Sequence, residues 1–373
     1  MIAFLQLTPA EDLAAVESAI ARVIKRGWFV LGPELEAFER AFAGSCRAPL
    51  AVGVGTGTDA LAIGLRALGI GPGDEVITSP LSAAYSALAI VMAGARPVFA
   101  DIDPDRLTLD PQGVAAAVSS RTAAVMPVHL YGQAADMPAI AAVAERHGLA
   151  ILEDCCQSHG ATCAGKPVGS FGTVAAYSFY PTKNLGALGD GGAITTTDVD
   201  VAARAKRLRN GGQTDRYHHA ELGVNSRLDE LQAAVLHARL PFLSGWTERR
   251  RALAGKYREA LAGADTINVP PERDSGHVYH LFPVRSEDRD AMQAHLRASG
   301  VETLIHYPVP IPAQPAMAAF DPADCPVATR ICREIFSLPL YPRLPDEAIQ
   351  QVADAVIKGP SPASARHERD AQG

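Results

Sequence analysis

From residue 51 onward the chain alternates short apolar runs with longer amphipathic ones. AVGV, EVITS, RPVFADI, AAVMPVHL, LAILED, VAAYSFY and GAITT are rich in Val, Ile and Ala and show almost no polar alternation. DALAIGLRALG, SALAIVMAG and MPAIAAVAERHG have helical spacing and separate most of them. Strands without polar alternation, spaced by helices, predict a mainly parallel sheet covered on both faces, an α/β fold. Upstream, residues 9–26 predict an amphipathic helix opened by Pro9 and closed by Gly27, and Leu35, Phe38 and Phe42 mark a second.

After about residue 240 the texture changes. WTERRRALAGKYREALA (246–262) predicts a long polar helix able to link two domains. HVYHLFPVR reads as an antiparallel strand, DRDAMQAHLRASG as a helix ending at Gly300, and LPDEAIQQVADAV as a last helix. The expected organisation is a large domain over residues 1–240 and a smaller α+β domain over 241–358. The tail, 359–373, has no apolar face and is expected to be disordered.

Composition narrows the possible partners. A net charge of −7, with Arg249-Arg250-Arg251 as the one short basic block, argues against a nucleic-acid partner. The six cysteines form no C-x-x-C pair and no zinc spacing, so no metal is expected and a reducing cytoplasm suits them. MIAFLQLTPAEDL lacks a basic, then apolar, leader, and no apolar run reaches the roughly 18 residues needed to cross a bilayer.

In open parallel sheets, ligands gather at the carboxyl ends of strands. Three unusual features fall there. Thr56-Gly57-Thr58 opens a helix, where free N–H groups and hydroxyls suit a phosphate, although a plain N-cap reads the same way. Asp154 ends the LAIL strand, as a cap, a salt-bridge partner or a charge facing a ring nitrogen. Lys183, in SFYPTKNLGALGDGGAI, is an amine set among small residues, with glycines expected to leave room beside it. One cofactor uses a phosphate cradle, a carboxylate and an amine together: pyridoxal 5′-phosphate, whose aldehyde forms a Schiff base with lysine and whose pyridine nitrogen needs an anion. A nicotinamide site is disfavoured, because GVGTGTDA lacks the G-x-G-x-x-G order and Lys183 would have no task.

The motifs VGVGTGTDALAIGL, GPGDEVITSP, ILEDCCQSHGA, SFYPTKNLGALGDGGAI, NSRLDELQAA and HYPVPIPAQPAM, in this order along nearly the whole chain, resemble the DegT/StrS-type sugar aminotransferases, of pyridoxal-phosphate fold type I. The resemblance implies that Lys183 carries the cofactor and shuttles protons, and that Asp154 pairs with the ring nitrogen. It places Gln157 near the 3-hydroxyl, Cys156 on one ring face, and Gly57, Thr58 and Ser178, with Thr56 beside them, at the phosphate. Asn225 would reach the phosphate from a second copy, so a homodimer with shared active sites is implied. Arg227, His306 and Tyr307 match positions contacting the nucleotide-sugar or glutamate. One departure stands out: SPLSAAYSALAI has Ala83 where relatives carry a ring-stacking aromatic, so either Tyr85 shifts into that role or it packs in the core. The implied activity is transfer of an amino group from L-glutamate to a C-3 or C-4 keto group of a nucleotide-linked sugar, in amino-sugar or polysaccharide synthesis. A lysine at position 183 argues against the family's dehydratases, which carry histidine there, and no appended DNA-binding region favours a regulator. Tyr217 to His219 and HYPVP look most similar to members acting on 3-keto sugars.

Overall fold

The computed structural model describes residues 1–320 and 323–360; the tail expected to be disordered lies, from residue 361 on, outside the described residues. Seven strands form one sheet: β1 (Leu50–Val54), β2 (Glu75–Thr78), β3 (Arg96–Phe99), β4 (Thr122–Met126), β5 (Ala150–Asp154), β6 (Val174–Ser178) and β7 (Gly192–Thr196). Their order is β1-β7-β6-β5-β4-β2-β3. The pairs from β3 through β6 are parallel, as the sequence predicts, whereas β7 runs antiparallel to both β6 and β1. The reason is local. No helix separates β6 from β7, only the loop that carries Lys183, and a strand returning without a crossover pairs antiparallel.

Successive side chains of a strand point to opposite faces, and here both faces are apolar. Val76, Ala124, Met126, Leu152, Val174, Ala176 and Ile194 pack on one side with the helix Gly57–Ala67. Their neighbours Ile77, Val125, Ile151, Ala175, Tyr177 and Ala193 pack on the other with Phe38 and Phe42. The helix Gly57–Ala67 lies close on the sheet because it has glycine at the contact: a Cβ on Gly64 would sit 2.9 Å from Leu152 and 3.0 Å from Val174. Residues Phe282–Arg285 and Ile335–Leu338 form a separate antiparallel pair, with its own cluster of Leu253, Tyr257, Phe282, Val284, Phe336 and Val352. The helix Leu243–Ala260 starts with Leu243 against the sheet's core and continues with Leu253 and Tyr257 in this second cluster. We propose on that basis that the second domain begins near residue 241.

Helix Leu13–Arg26 buries Val16, Ala19 and Val23 and ends where Gly27, at φ 72°, donates to the Val23 carbonyl. The next helix, Pro33–Ser45, has no capping side chain of its own at Gly32. Its exposed donors are met from far along the chain. Glu230, fully buried at the start of the helix Glu230–Arg239, accepts hydrogen bonds from the backbone N–H groups of Gly32, Glu34 and Leu35, each at 2.9 Å. Pro33 has no N–H to satisfy. The LDELQAA stretch therefore clamps the first helices onto the later ones. Glu230→Ala leaves these donors buried without partners and is expected to lower unfolding free energy by about 3 kcal/mol, with Glu230→Gln losing less. Urea denaturation followed by circular dichroism measures it; an alanine variant within about 0.5 kcal/mol of the native chain would contradict the clamp.

Candidate active site

The site forms where the carboxyl ends of β5 and β6 meet the start of the helix Gly57–Ala67. The fixed point is Glu153, whose side chain has no exposure. Its carboxylate accepts from the N–H groups of Gly169 at 2.7 Å and of Phe171 and Gly172 at 2.8 Å. His129 completes the set at 3.1 Å: its Nδ1 accepts from Ala135 N, so Nε2 carries the proton that is donated to Glu153. Among the described residues, His129, Glu153 and Cys155 come close enough to share a cation, but the histidine's lone pair and the carboxylate are already engaged.

Asp154 follows directly and is only 4% exposed. Its backbone is tied into the sheet by Asp154 N donating to Pro127 O at 2.9 Å and its carbonyl accepting from His129 N at 3.1 Å. Its side chain is oriented at both oxygens. Oδ1 accepts from Cys156 N at 3.1 Å and Oδ2 from Ser86 Oγ at 2.8 Å. Sequence reasoning singled out Tyr85, yet that side chain is 62% exposed in this chain, while its neighbour Ser86 turns inward to the carboxylate. The signal that could have found Ser86 is a pair of serines four apart, Ser82 and Ser86, at the head of an otherwise apolar helix.

Thr56 caps the helix Gly57–Ala67, its Oγ1 accepting from Asp59 N at 3.0 Å, so the plain N-cap reading holds. A hydroxyl that accepts still has a proton to donate, so capping does not remove Thr56 from a phosphate site. Gly57 sits where a Cβ would lie 2.6 Å from Ser178 and 3.0 Å from the Cys156 sulfur. This brings the helix start, Ser178 and Cys156 into one group, with Thr58 next in the first turn. Lys183 joins it electrostatically. Burial lowers the pKa of its amine, with the nearby Cys156 and Asp154 acting in the opposite direction. The same burial pushes the Cys156 thiol well above its ordinary value.

The glycines around Lys183 do not provide the expected open space. A Cβ on Gly192 would land on the Thr56 carbonyl oxygen, and one on Gly186 would lie 2.5 Å from the Pro181 carbonyl oxygen. They let backbone pack on backbone, which fixes the loop rather than hollowing it.

The remaining predicted residues divide. Gln157 bridges two tyrosines: Oε1 accepts from Tyr131 N at 2.8 Å and Nε2 donates to the Tyr307 hydroxyl at 3.0 Å. The Tyr131 hydroxyl donates to the His306 carbonyl, and His306 Nδ1 lies 3.0 Å from Ser337 Oγ. Gln157, His306 and Tyr307 thus form one network that joins the end of β5 to the second cluster. Burial and the charge of Lys183 bring His306 down to about 4, and burial raises Tyr307 to about 12. Asn225 is exposed, and Arg227 donates to Asn210 Oδ1 at 3.0 Å. Among the described residues no hydrogen bond links either to the Lys183 group.

Two buried histidines beside Lys183 escaped the sequence. His159, against Phe42, Tyr177 and Phe179, is brought down to about 3 by burial and by Lys183. His280 is bound through Asn184: the Asn184 amide Nδ2 donates to Val278 O at 3.0 Å, which turns Oδ1 toward His280 Nδ1 at 3.2 Å. His280 lines a pocket with Thr182, His306 and Phe4. Neither histidine carries a motif of its own.

A helix start able to hold a phosphate, an oriented carboxylate and a buried amine of lowered pKa meet at one sheet edge, and this donor set fits pyridoxal phosphate. Fold and site define a pyridoxal-phosphate-dependent aminotransferase. The model of the DegT/DnrJ/EryC1/StrS aminotransferase family matches residues 11–357, and the chain belongs to that family. It is 49% identical over 360 residues to dTDP-3-amino-3,4,6-trideoxy-α-D-glucose transaminase of Streptomyces venezuelae, covering 95% of each chain. It is 45% identical to a "Pleiotropic regulatory protein" of Geobacillus stearothermophilus, over 90% of this chain and 92% of that one. The crystal structure of S. venezuelae DesV in complex with a ketimine intermediate superimposes with a TM-score of 0.92, at 48% identity, covering 96% of this chain and 98% of that one.

The lowered pKa of Lys183 has a consequence for stability. Below the lowered value the folded chain holds a proton on a buried amine, a cost that the unfolded chain does not bear; above the ordinary value of 10.5 neither state holds it. Cofactor-free Lys183→Met is therefore expected to melt above the cofactor-free native chain at pH 7. The gap should narrow as the pH approaches 10.5. A gap of opposite sign, or one that does not change between these pH values, would count against a buried amine at this position.

Proposed function

We propose that this chain transfers an amino group from L-glutamate to the C-3 keto group of a nucleotide-linked deoxysugar. The observation that carries the reading is the Lys183 amine held beside an oriented Asp154, in a chain 49% identical to a transaminase named for a dTDP-linked 3-amino sugar. When bound, pyridoxal phosphate supplies an electron sink that stabilises negative charge on the carbon bearing the amine. The protein supplies the rest. Gly57 and Thr58 N–H groups with the Thr56 and Ser178 hydroxyls would hold the phosphate at the helix start. Asp154 would pair with the ring nitrogen and favour its protonated form. Lys183 Nζ would anchor the cofactor and move the proton at the amine-bearing carbon, a task that needs an uncharged amine, which burial favours. His306, Tyr307 and Arg227 would contact the substrates.

Support for a homodimer comes from the surface. Trp28, Phe29, Val30, Tyr85, Tyr180 and Leu188 are large apolar side chains left exposed, which a second copy would cover. Asn225 is exposed as well, as a residue serving a second copy would be. In such a dimer Tyr85 would be free to cover the partner's site rather than its own. All six cysteines are unpaired, and no helix among the described residues is long and apolar enough to cross a membrane, which suits a cytoplasmic reaction on a nucleotide-linked substrate. The name of the Geobacillus relative raises a regulatory reading, but a buried Lys183 amine near an oriented Asp154 favours chemistry.

The holoenzyme incubated with L-glutamate should lose the visible absorption of its bound cofactor and release 2-oxoglutarate, and Lys183→Ala should do neither. A panel of dTDP- and UDP-linked 3-keto and 4-keto sugars should regenerate that absorption for the 3-keto members; regeneration by the 4-keto members alone would overturn the assignment to C-3. Sharing of the site is tested by mixing two inactive variants, Lys183→Ala and Asn225→Ala. Activity should return on mixing, because one site of the mixed dimer then contains both native residues. No recovery, with mixed dimers confirmed by mass, would place Asn225 in the same subunit's site.

A further inference from the structure

Both oxygens of Asp154 are occupied on the protein side, and one of the two donors is a side chain with a second donor behind it. Ser86 is 2% exposed and Ser82 is 5% exposed. Ser86 Oγ lies 2.8 Å from Asp154 Oδ2 and 3.4 Å from Ser82 Oγ. The direction of both bonds follows from proton counting. The single hydroxyl proton of Ser86 is donated to Asp154, so the proton between the serines comes from Ser82. The chain of donors is Ser82 to Ser86 to Asp154. Each bond polarises the next, so the pair acts more strongly on the carboxylate than one isolated hydroxyl.

We propose that Ser86, backed by Ser82, is a positioning residue that holds the Asp154 carboxylate aimed at the cofactor's ring nitrogen. This rests on the cofactor reading above. A buried carboxylate is costly unless hydrogen bonds replace its lost water, and those bonds also set its direction. It has about four acceptor positions, of which Cys156 N–H takes one on Oδ1 and Ser86 takes one on Oδ2. Two donors on separate oxygens fix the plane of the group, and the positions left over face away from them. Ser86 touches no reacting atom and acts through Asp154. It sits at the second residue of the helix Tyr85–Met92, whose Ala87, Ala89 and Ile90 are buried, so the hydroxyl is held by a packed helix and not by a loop.

The test separates an effect on the ring nitrogen from an effect on the fold. Cofactor-free native chain, Ser86→Ala and Ser86→Thr are titrated with pyridoxal phosphate, and again with its 1-deaza analogue, which has carbon in place of the ring nitrogen. Ser86→Ala is expected to bind pyridoxal phosphate about tenfold more weakly, because the carboxylate is no longer held toward the ring nitrogen. Ser86→Thr, which keeps the hydroxyl, should bind as the native chain does. With the deaza analogue the native chain and Ser86→Ala should bind alike. Equal binding of pyridoxal phosphate by native and alanine variants, or the same loss with both ligands, would overturn the proposal. Thermal melting of the cofactor-free proteins checks folding. Should Ser86→Ala fail to fold, Ser82→Ala removes the rear donor and should give a smaller loss with the same dependence on the ring nitrogen; no loss there would overturn the proposal as well. A native chain that binds neither ligand would instead strike down the cofactor reading on which it rests.

Discussion

A carboxylate that never meets solvent organises this site. Glu153 is buried at the end of a central strand, where an unpaired negative charge would be prohibitive. Three backbone N–H groups from the segment before β6 and one imidazole N–H from the segment after β4 supply its compensation. The loops on both sides of β5 are thereby tied to one point. Asp154, the next residue, has no choice of direction: its backbone is bonded to Pro127 and His129, and alternation along the strand sends its side chain the other way from Glu153. The two acids stand side by side with opposite tasks. One is spent on the fold, and the other keeps its remaining lone pairs.

The Lys183 loop is fixed by a different means. Backbone contacts at Gly186 and Gly192 press it against Pro181 and Thr56, so the amine hangs from a frame that includes the start of the helix Gly57–Ala67. Any side chain on Gly192 would push the loop off Thr56. The antiparallel turn of β7 follows from the same arrangement. The chain must come back directly beside β6 to close the loop over the helix start, and a crossover helix would carry it elsewhere.

The strands of the sheet were legible in the sequence because burial on both faces makes them continuous apolar runs, and their ends were legible because Asp154, Lys183 and Thr56 break those runs. What stayed hidden depends on contacts across long separations. Glu230 reads as an ordinary helix residue, and nothing near it in the sequence announces that its carboxylate caps a helix nearly two hundred positions upstream. Ser86 looked inert beside the conspicuous Tyr85, because the rotation of a helix decides which neighbour faces inward. Gln157 stood out in its motif, but its two bonds to Tyr131 and Tyr307 were not legible there. The direction of β7 was missed because a strand's composition does not record which way it runs.

The electrostatics of the pocket close the account. His159, His280 and His306 all have lowered pKa values, from burial first and from the charge of Lys183 next. Each is uncharged at neutral pH, so none competes with Lys183 as a cation. The effect is mutual in sign, since an added charge on any of them would push the amine's proton affinity lower still. His280 shows how neutrality is given a direction: Asn184 accepts from Nδ1 and leaves Nε2 as a lone pair. A pocket built this way places acceptors and aromatic faces around the buried amine. Burial favours the uncharged amine, and Cys156 and Asp154 act against it. That is the condition under which a single lysine can both hold a cofactor and return a proton.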